Sequence, residues 1–126
     1  MYLKAVYPIS DEDPGALPVR DLDAAVRFYE SVLGFTPTAR DASTARLARD
    51  GVRLGLVHDR AHQPGKAGSL AFEVDDLHAA HRDLQSRGVH PGEFGTDEWA
   101  GRRHHTFFLR EQDNGYCYCF FSPAEG

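Results

Sequence analysis

The sequence predicts an α+β fold: two diverged copies of a βαβββ module within a single domain spanning residues 1–126. Three observations carry the prediction. The chain repeats itself at a spacing of 55 residues, each copy contains one helix-like stripe introduced by an aspartate, and three strand-length segments follow each stripe. In the repeat, residues 16–31 (ALPVRDLDAAVRFYES) lie over residues 71–86 (AFEVDDLHAAHRDLQS). The identities are Ala16/Ala71, Val19/Val74, Asp21/Asp76, Leu22/Leu77, Ala24/Ala79, Ala25/Ala80, Arg27/Arg82 and Ser31/Ser86. Half of sixteen positions matching far exceeds chance, so the repeat decides the architecture.

In each copy a short apolar stretch comes first. An aspartate follows, able to accept a bond from the first free helical N–H groups. Leu22, Ala25, Val26, Tyr29, Val32 and Leu33 then form one face of a helix, with Gly34 as the stop. The second helix has a thinner stripe, Leu77, Ala80 and Leu84, and stops at Gly88. Strands are expected around residues 35–39, 45–49 and 52–57, then 92–94, 105–110 and 116–122. Asp50-Gly51 and Asn114-Gly115 are hairpin signals between them. Module 1 is thus expected at about residues 1–58 and module 2 at about 69–126. The intervening stretch, rich in His, Gly, Pro and Lys, is the linker.

Composition is that of an ordinary globular chain, 41% hydrophobic and 26% charged. No run of 18 apolar residues and no basic-then-apolar leader is present, so neither a membrane span nor a secretory signal is indicated. The net charge of −5 is spread along the chain without a basic block, which argues against a nucleic-acid partner. The acidity either keeps the protein in solution or favours a cationic ligand. Cys117 and Cys119 would sit about 6.6 Å apart along one strand, too strained for a bridge. Reduced thiols in a cytoplasmic protein are expected, with a CxC metal clamp as the alternative.

Paired βαβββ modules with VRDLDAAVRFYESVLGF in the first copy resemble the vicinal oxygen chelate superfamily of glyoxalase I, extradiol dioxygenases and bleomycin-resistance proteins. The resemblance covers nearly the whole chain. It implies a curled mixed sheet in each module, a cup formed by two modules, a small-molecule site inside the cup and a homodimer. It also implies a PxLPVxDL start, here interrupted: Pro8-Ile9 and Leu17-Pro18-Val19-Arg20 become continuous if residues 10–16, SDEDPGA, are removed. That stretch is either an insertion that breaks the first strand or a simple leader to a strand beginning at Ala16.

Enzymes of this superfamily hold a divalent metal at two equivalent strand positions per module. The resemblance puts those positions at Pro14 (or Pro8), Gly55, Ser69 and Tyr118, none of them a usual ligand. No metal and no cofactor are therefore expected, as in the bleomycin-resistance-like members. Among the histidines, His78 and His81 fall beside the inward stripe of their helix, while His58 and His62 fall in the linker. One of His104 and His105, together with Glu73, is the remaining alternative metal site.

The strand phase that the resemblance implies directs Ser69, Ala71 and Glu73 into the cup, along with Tyr116, Tyr118 and Phe120. Cys117, Cys119 and Phe121 then face away. Trp99, in EWAG, matches the place of a loop tryptophan over planar ligands, or else is a structural anchor. Arg46 and Arg53 alternate with Leu47 and Leu54, and either favour an anionic ligand or form a solvated face. The expected ligand-binding set is Arg46, Arg53, Glu73, Trp99, His104, Tyr116 and Tyr118, with no catalytic residue. The expected function is binding or sequestration of a small, partly aromatic molecule, possessing the character of antibiotic resistance. The alternatives are a lyase, isomerase or dioxygenase with a non-standard metal site or with Glu73 as base, and a domain with no ligand.

Overall fold

The structure is a computed structural model that describes residues 2–10 and 12–124. Among the described residues, nine strands and two α-helices follow one another: β1 (Leu3–Pro8), β2 (Leu17–Val19), α1 (Leu22–Ser31), β3 (Thr36–Arg40), β4 (Thr44–Arg49), β5 (Val52–His58), β6 (Ser69–Val74), α2 (Leu77–Ser86), β7 (Gly95–Trp99), β8 (Arg102–Arg110) and β9 (Cys117–Pro123). The expected α+β class and paired βαβββ arrangement are observed. One sheet has the order β2-β5-β4-β3, and the other β1-β6-β9-β8-β7. In each, the strand before the helix pairs parallel with the last strand of its module, β2 with β5 and β6 with β9.

The two helices begin and end 55 residues apart, as the repeat requires. Asp21 accepts from Ala24 N–H at 3.1 Å and Asp76 from Ala79 N–H at 3.0 Å, each cap contributing about 1 kcal/mol. The predicted stripes of both helices are buried. They enter one core shared by the two modules, where Tyr29 of α1 packs on Phe35 and Tyr118, and Phe72 lies against Tyr118 and Phe120. Each sheet turns one face to this core and the other outward.

Three local features differ from expectation. The strand expected at 92–94 lies instead at 95–99, β7, and closes onto β8 by a two-residue turn, Ala100-Gly101, with φ of 54° and 73°. Alanine rarely adopts this conformation, so the sequence carries no hairpin signal here. Asp50-Gly51 makes the expected tight turn, with φ of 52° and 83°. Asn114-Gly115, by contrast, lies in a longer connection between Arg110 and Cys117.

The third difference is at the start. β1 leaves its own module and pairs antiparallel with β6, at the edge of the other sheet. Residues 10–16 make the crossing and separate β1 from β2; Asp11, within them, lies outside the described residues. The crossing is stitched down: Ser69 N–H donates to Ser10 Oγ at 3.1 Å, Gly68 N–H to Glu12 Oε1 at 3.0 Å, and Gly55 N–H to the Pro14 carbonyl at 2.9 Å. No helix among the described residues is long and apolar enough to cross a membrane.

Candidate functional site

The outward face of the five-stranded sheet carries a cavity of about 650 Å³. Its floor is Ala71 on β6 with Cys119 and Phe121 on β9, a small apolar cluster separate from the main core. One wall is Tyr7, Pro8 and Ile9 of β1 and the crossing; the other is Trp99 and His104 of the β7–β8 hairpin, with Arg102 at its end. Half-exposed Tyr7 and the partly exposed Trp99 leave aromatic faces open to the groove.

The Trp99 indole and the His104 imidazole stack with ring centres 3.7 Å apart and planes within 5° of parallel. Phe121 meets both edge-on, at 5.1 and 5.4 Å. The two edge-on Phe121 contacts are the geometry that aromatic quadrupoles favour, whereas Trp99 and His104 lie in a close parallel stack. His104 is only 6% exposed, and its Nδ1 is buried without a hydrogen-bond partner. Glu73 brings the groove's carboxylate, 3.8 Å from the Lys4 ammonium and accepting a long 3.4 Å bond from the Tyr7 hydroxyl.

Of the residues expected to bind ligand, Glu73, Trp99 and His104 come together in this groove. Arg46 and Arg53 do not join them. They are exposed on the outward face of the other sheet, lining a concavity of about 310 Å³ with Thr38, Gly15 and Gly55.

Tyr116 and Tyr118 are corrections: both are fully buried. Tyr118 shares a 2.7 Å bond with the Tyr29 hydroxyl, and Tyr116 donates to the Pro18 carbonyl at 2.8 Å. Burial pushes both phenols well above the ordinary tyrosine range. The phase expected for β9 is therefore inverted. Tyr118 and Phe120 face the core, while Cys119 and Phe121 face the groove. The cause lies in the register: in the parallel pair, Ala71 stands beside Cys119, and paired residues share a face. The aromatic run 116–121 has no polar alternation that could reveal this.

The same register revises the metal positions. Leu17 pairs with Leu56 and its repeat counterpart Phe72 with Phe120, so Gly55 corresponds to Cys119, not to Tyr118. The residues present do not fit a metal. A side chain at Gly55 would collide with the Gly15 carbonyl oxygen, so the crossing already fills that position. Burial pushes the Cys119 thiol up to about 12, with Asp97 and Cys117 adding to the effect, so it holds its proton at neutral pH. Glu73 and His104 share the groove, but His105 lies on the opposite face of β8 beside Arg103 and Ser122. Among the described residues no group of three His, Cys, Asp or Glu is placed to hold a metal ion.

The linker histidine His62 does more than stay solvated. It stacks on Tyr116 at 5.8 Å, and its Nε2 lies 2.8 Å from the Asn114 carbonyl. His78 and His81 flank Phe94 at 4.4 and 4.6 Å, away from the groove.

Two βαβββ modules with open outward faces define the class of fold, and comparison with known proteins narrows it. The family model of the glyoxalase/bleomycin resistance protein/dioxygenase superfamily matches residues 13–116, and the chain belongs to that superfamily. Among solved structures, it is similar to a bleomycin-binding protein complexed with bleomycin (TM-score 0.73, 25% identity, covering 90% of this chain and 98% of that one). A bleomycin resistance determinant encoded on transposon Tn5 gives a TM-score of 0.72 at 24% identity, again over 90% and 98%. A protein from the mobile metagenome of V. Pseudocholerae gives 0.73 at 23% identity, over 94% and 98%. No curated protein matches in sequence.

Proposed function

We propose that this protein binds and sequesters a small, partly aromatic molecule in the groove between β1 and the β7–β8 hairpin, without acting on it chemically. The observation that carries the reading is the Trp99–His104–Phe121 aromatic corner beside a 650 Å³ cavity. It offers flat apolar contact, with Glu73, His104, the Tyr7 hydroxyl and the Cys119 thiol as the polar groups around it and Arg102 at the hairpin end. Likeness to a bleomycin-binding protein supports the same reading and makes an antibiotic the first ligand to try.

The groove is open on one side, and a second copy is the natural cover. In a homodimer the basic outward face bearing Arg46 and Arg53 would oppose the face bearing Glu73, bringing the two arginines to the rim of the partner's groove. Two free thiols suit a reducing, cytoplasmic setting.

The test is a thermal-shift screen with metal-free bleomycin and other planar compounds, followed by titration of Trp99 fluorescence. A ligand at 100 times its Kd raises stability by about 2.7 kcal/mol, readily seen as a higher Tm. Binding that quenches Trp99 supports the reading; turnover of the bound compound, or no shift across a broad set of planar molecules, overturns it. Sedimentation of the wild type and of Arg46→Glu/Arg53→Glu reports on the dimer.

A further inference from the structure

The buried, unpartnered Nδ1 of His104 is what the aromatic corner leaves unexplained. A polar atom withdrawn from water without a hydrogen bond is unfavourable, and native structures keep few of them. The imidazole is held on one face by Trp99 and at its edge by Phe121. Phe121 has no polar atom, and the Trp99 indole, stacked parallel on the imidazole, makes no bond to Nδ1. Trp99 itself is 37% exposed at the end of an edge strand, followed immediately by Ala100-Gly101, both in the left-handed region. The buried ring thus lies under a cover set at the tip of a hairpin, on the wall of a cavity large enough for a bicyclic ligand.

We infer that His104 Nδ1 is the specificity-determining acceptor of the groove, completed by an N–H or O–H donor on the edge of a planar heteroaromatic ligand that reaches it as Trp99 shifts. This rests on the binding reading above and adds the chemical class of the ligand: a flat ring with a donor at its edge, in preference to a ring of the same shape without one. Nδ1 accepts that donor in the tautomer whose N–H is at Nε2. A ring lacking the donor leaves the nitrogen unpaired. Sites built around a buried polar group reject such analogues far more strongly than apolar pockets reject a change of size.

Indole and benzothiophene form the matched pair: the same bicyclic shape, with N–H in one and sulfur in the other. Their affinities are measured by ligand-observed NMR on wild type, His104→Phe and His104→Gln, with circular dichroism confirming that each variant is folded. Wild type is expected to bind indole about tenfold more tightly than benzothiophene. In His104→Phe the ratio falls to near one through loss of indole affinity, while His104→Gln, which retains an acceptor oxygen, keeps part of the preference. Equal binding of the two probes to wild type overturns the role of His104 and leaves the groove as a binding site. A preference unchanged in His104→Phe overturns it as well. Absence of binding by either probe at millimolar concentration overturns this inference together with the groove reading.

Discussion

The hydroxyls of Tyr29 and Tyr118 meet at 2.7 Å in the centre of the core, joining the first helix of one module to the last strand of the other. Both residues are fully or almost fully buried, and burial raises both phenol pKa values, so the pair stays neutral throughout the physiological range. Tyr118→Phe leaves the Tyr29 hydroxyl without this partner and is expected to cost about 1–3 kcal/mol in urea unfolding. Tyr29→Phe/Tyr118→Phe removes both polar groups and should recover much of that loss. Strict additivity of the two single changes would show that the bond does not couple the modules.

Gly55 marks where the chain's own crossing lies against the four-stranded sheet. A methyl group there meets the backbone of Gly15, which cannot rotate away as a long side chain could. Gly55→Ala is therefore expected to lower stability by about 1–3 kcal/mol, the usual range for overpacking. Gly65→Ala, in the 3-10 turn Pro64–Lys66 with open space around it, is the control and should be nearly neutral. Equal Tm values for the two variants would mean that the crossing is not seated on β5.

Glu111 supplies a pH signature. Burial raises its carboxyl pKa above the ordinary glutamate value of 4.5, only partly opposed by bonds from Asn114 N–H and Nδ2. The folded protein thus holds this proton more tightly than the unfolded chain. The stabilising contribution is complete below about pH 4.5 and is lost as pH rises through the folded value. Glu111→Gln cannot titrate. The Tm of wild type minus that of the variant should fall between pH 4 and neutrality and then level off; a difference that grows with pH would contradict the sign.

What the sequence disclosed follows the range of the interactions concerned. The helix starts were legible to the residue because cap and stripe lie within a dozen positions and the repeat supplies each twice, while the helices end at Ser31 and Ser86, just short of the stops expected at Gly34 and Gly88. The face of β9 was not, because 116–121 is apolar or aromatic throughout and its orientation depends on pairing with β6, some 48 residues away. Nor could the crossing of β1 to the far sheet be read, since Leu3–Pro8 has the same pattern whichever edge it joins. Glu73 was placed in the groove by the β6 phase and Trp99 by the position of the loop tryptophan, both implied by the resemblance, and His104 by alternation along its strand; the hairpin that brings Trp99 onto His104 carries no sequence signal. Tyr7, Ile9 and Phe121 were missed because they depend on the crossing and the register.

Trp99 separates a ligand platform from a structural anchor. An anchor contributes to stability whether or not ligand is present, whereas a platform contributes mainly to the complex. The indole is 37% exposed on a strand whose five residues are all exposed, and its contacts are with His104 and Phe121 on the groove side. An aromatic pair of this kind is worth about 0.5–1.5 kcal/mol, so Trp99→Ala should lower stability by no more than about 1.5 kcal/mol in urea unfolding. Affinity for any planar compound found by thermal shift should fall about tenfold or more, as expected for loss of an aromatic anchor at the centre of a contact. Trp99→Phe keeps a stacking face and should retain most of both. A variant Trp99→Ala that loses several kcal/mol of stability while binding the compound normally would assign the indole to the fold and move the ligand elsewhere on the sheet.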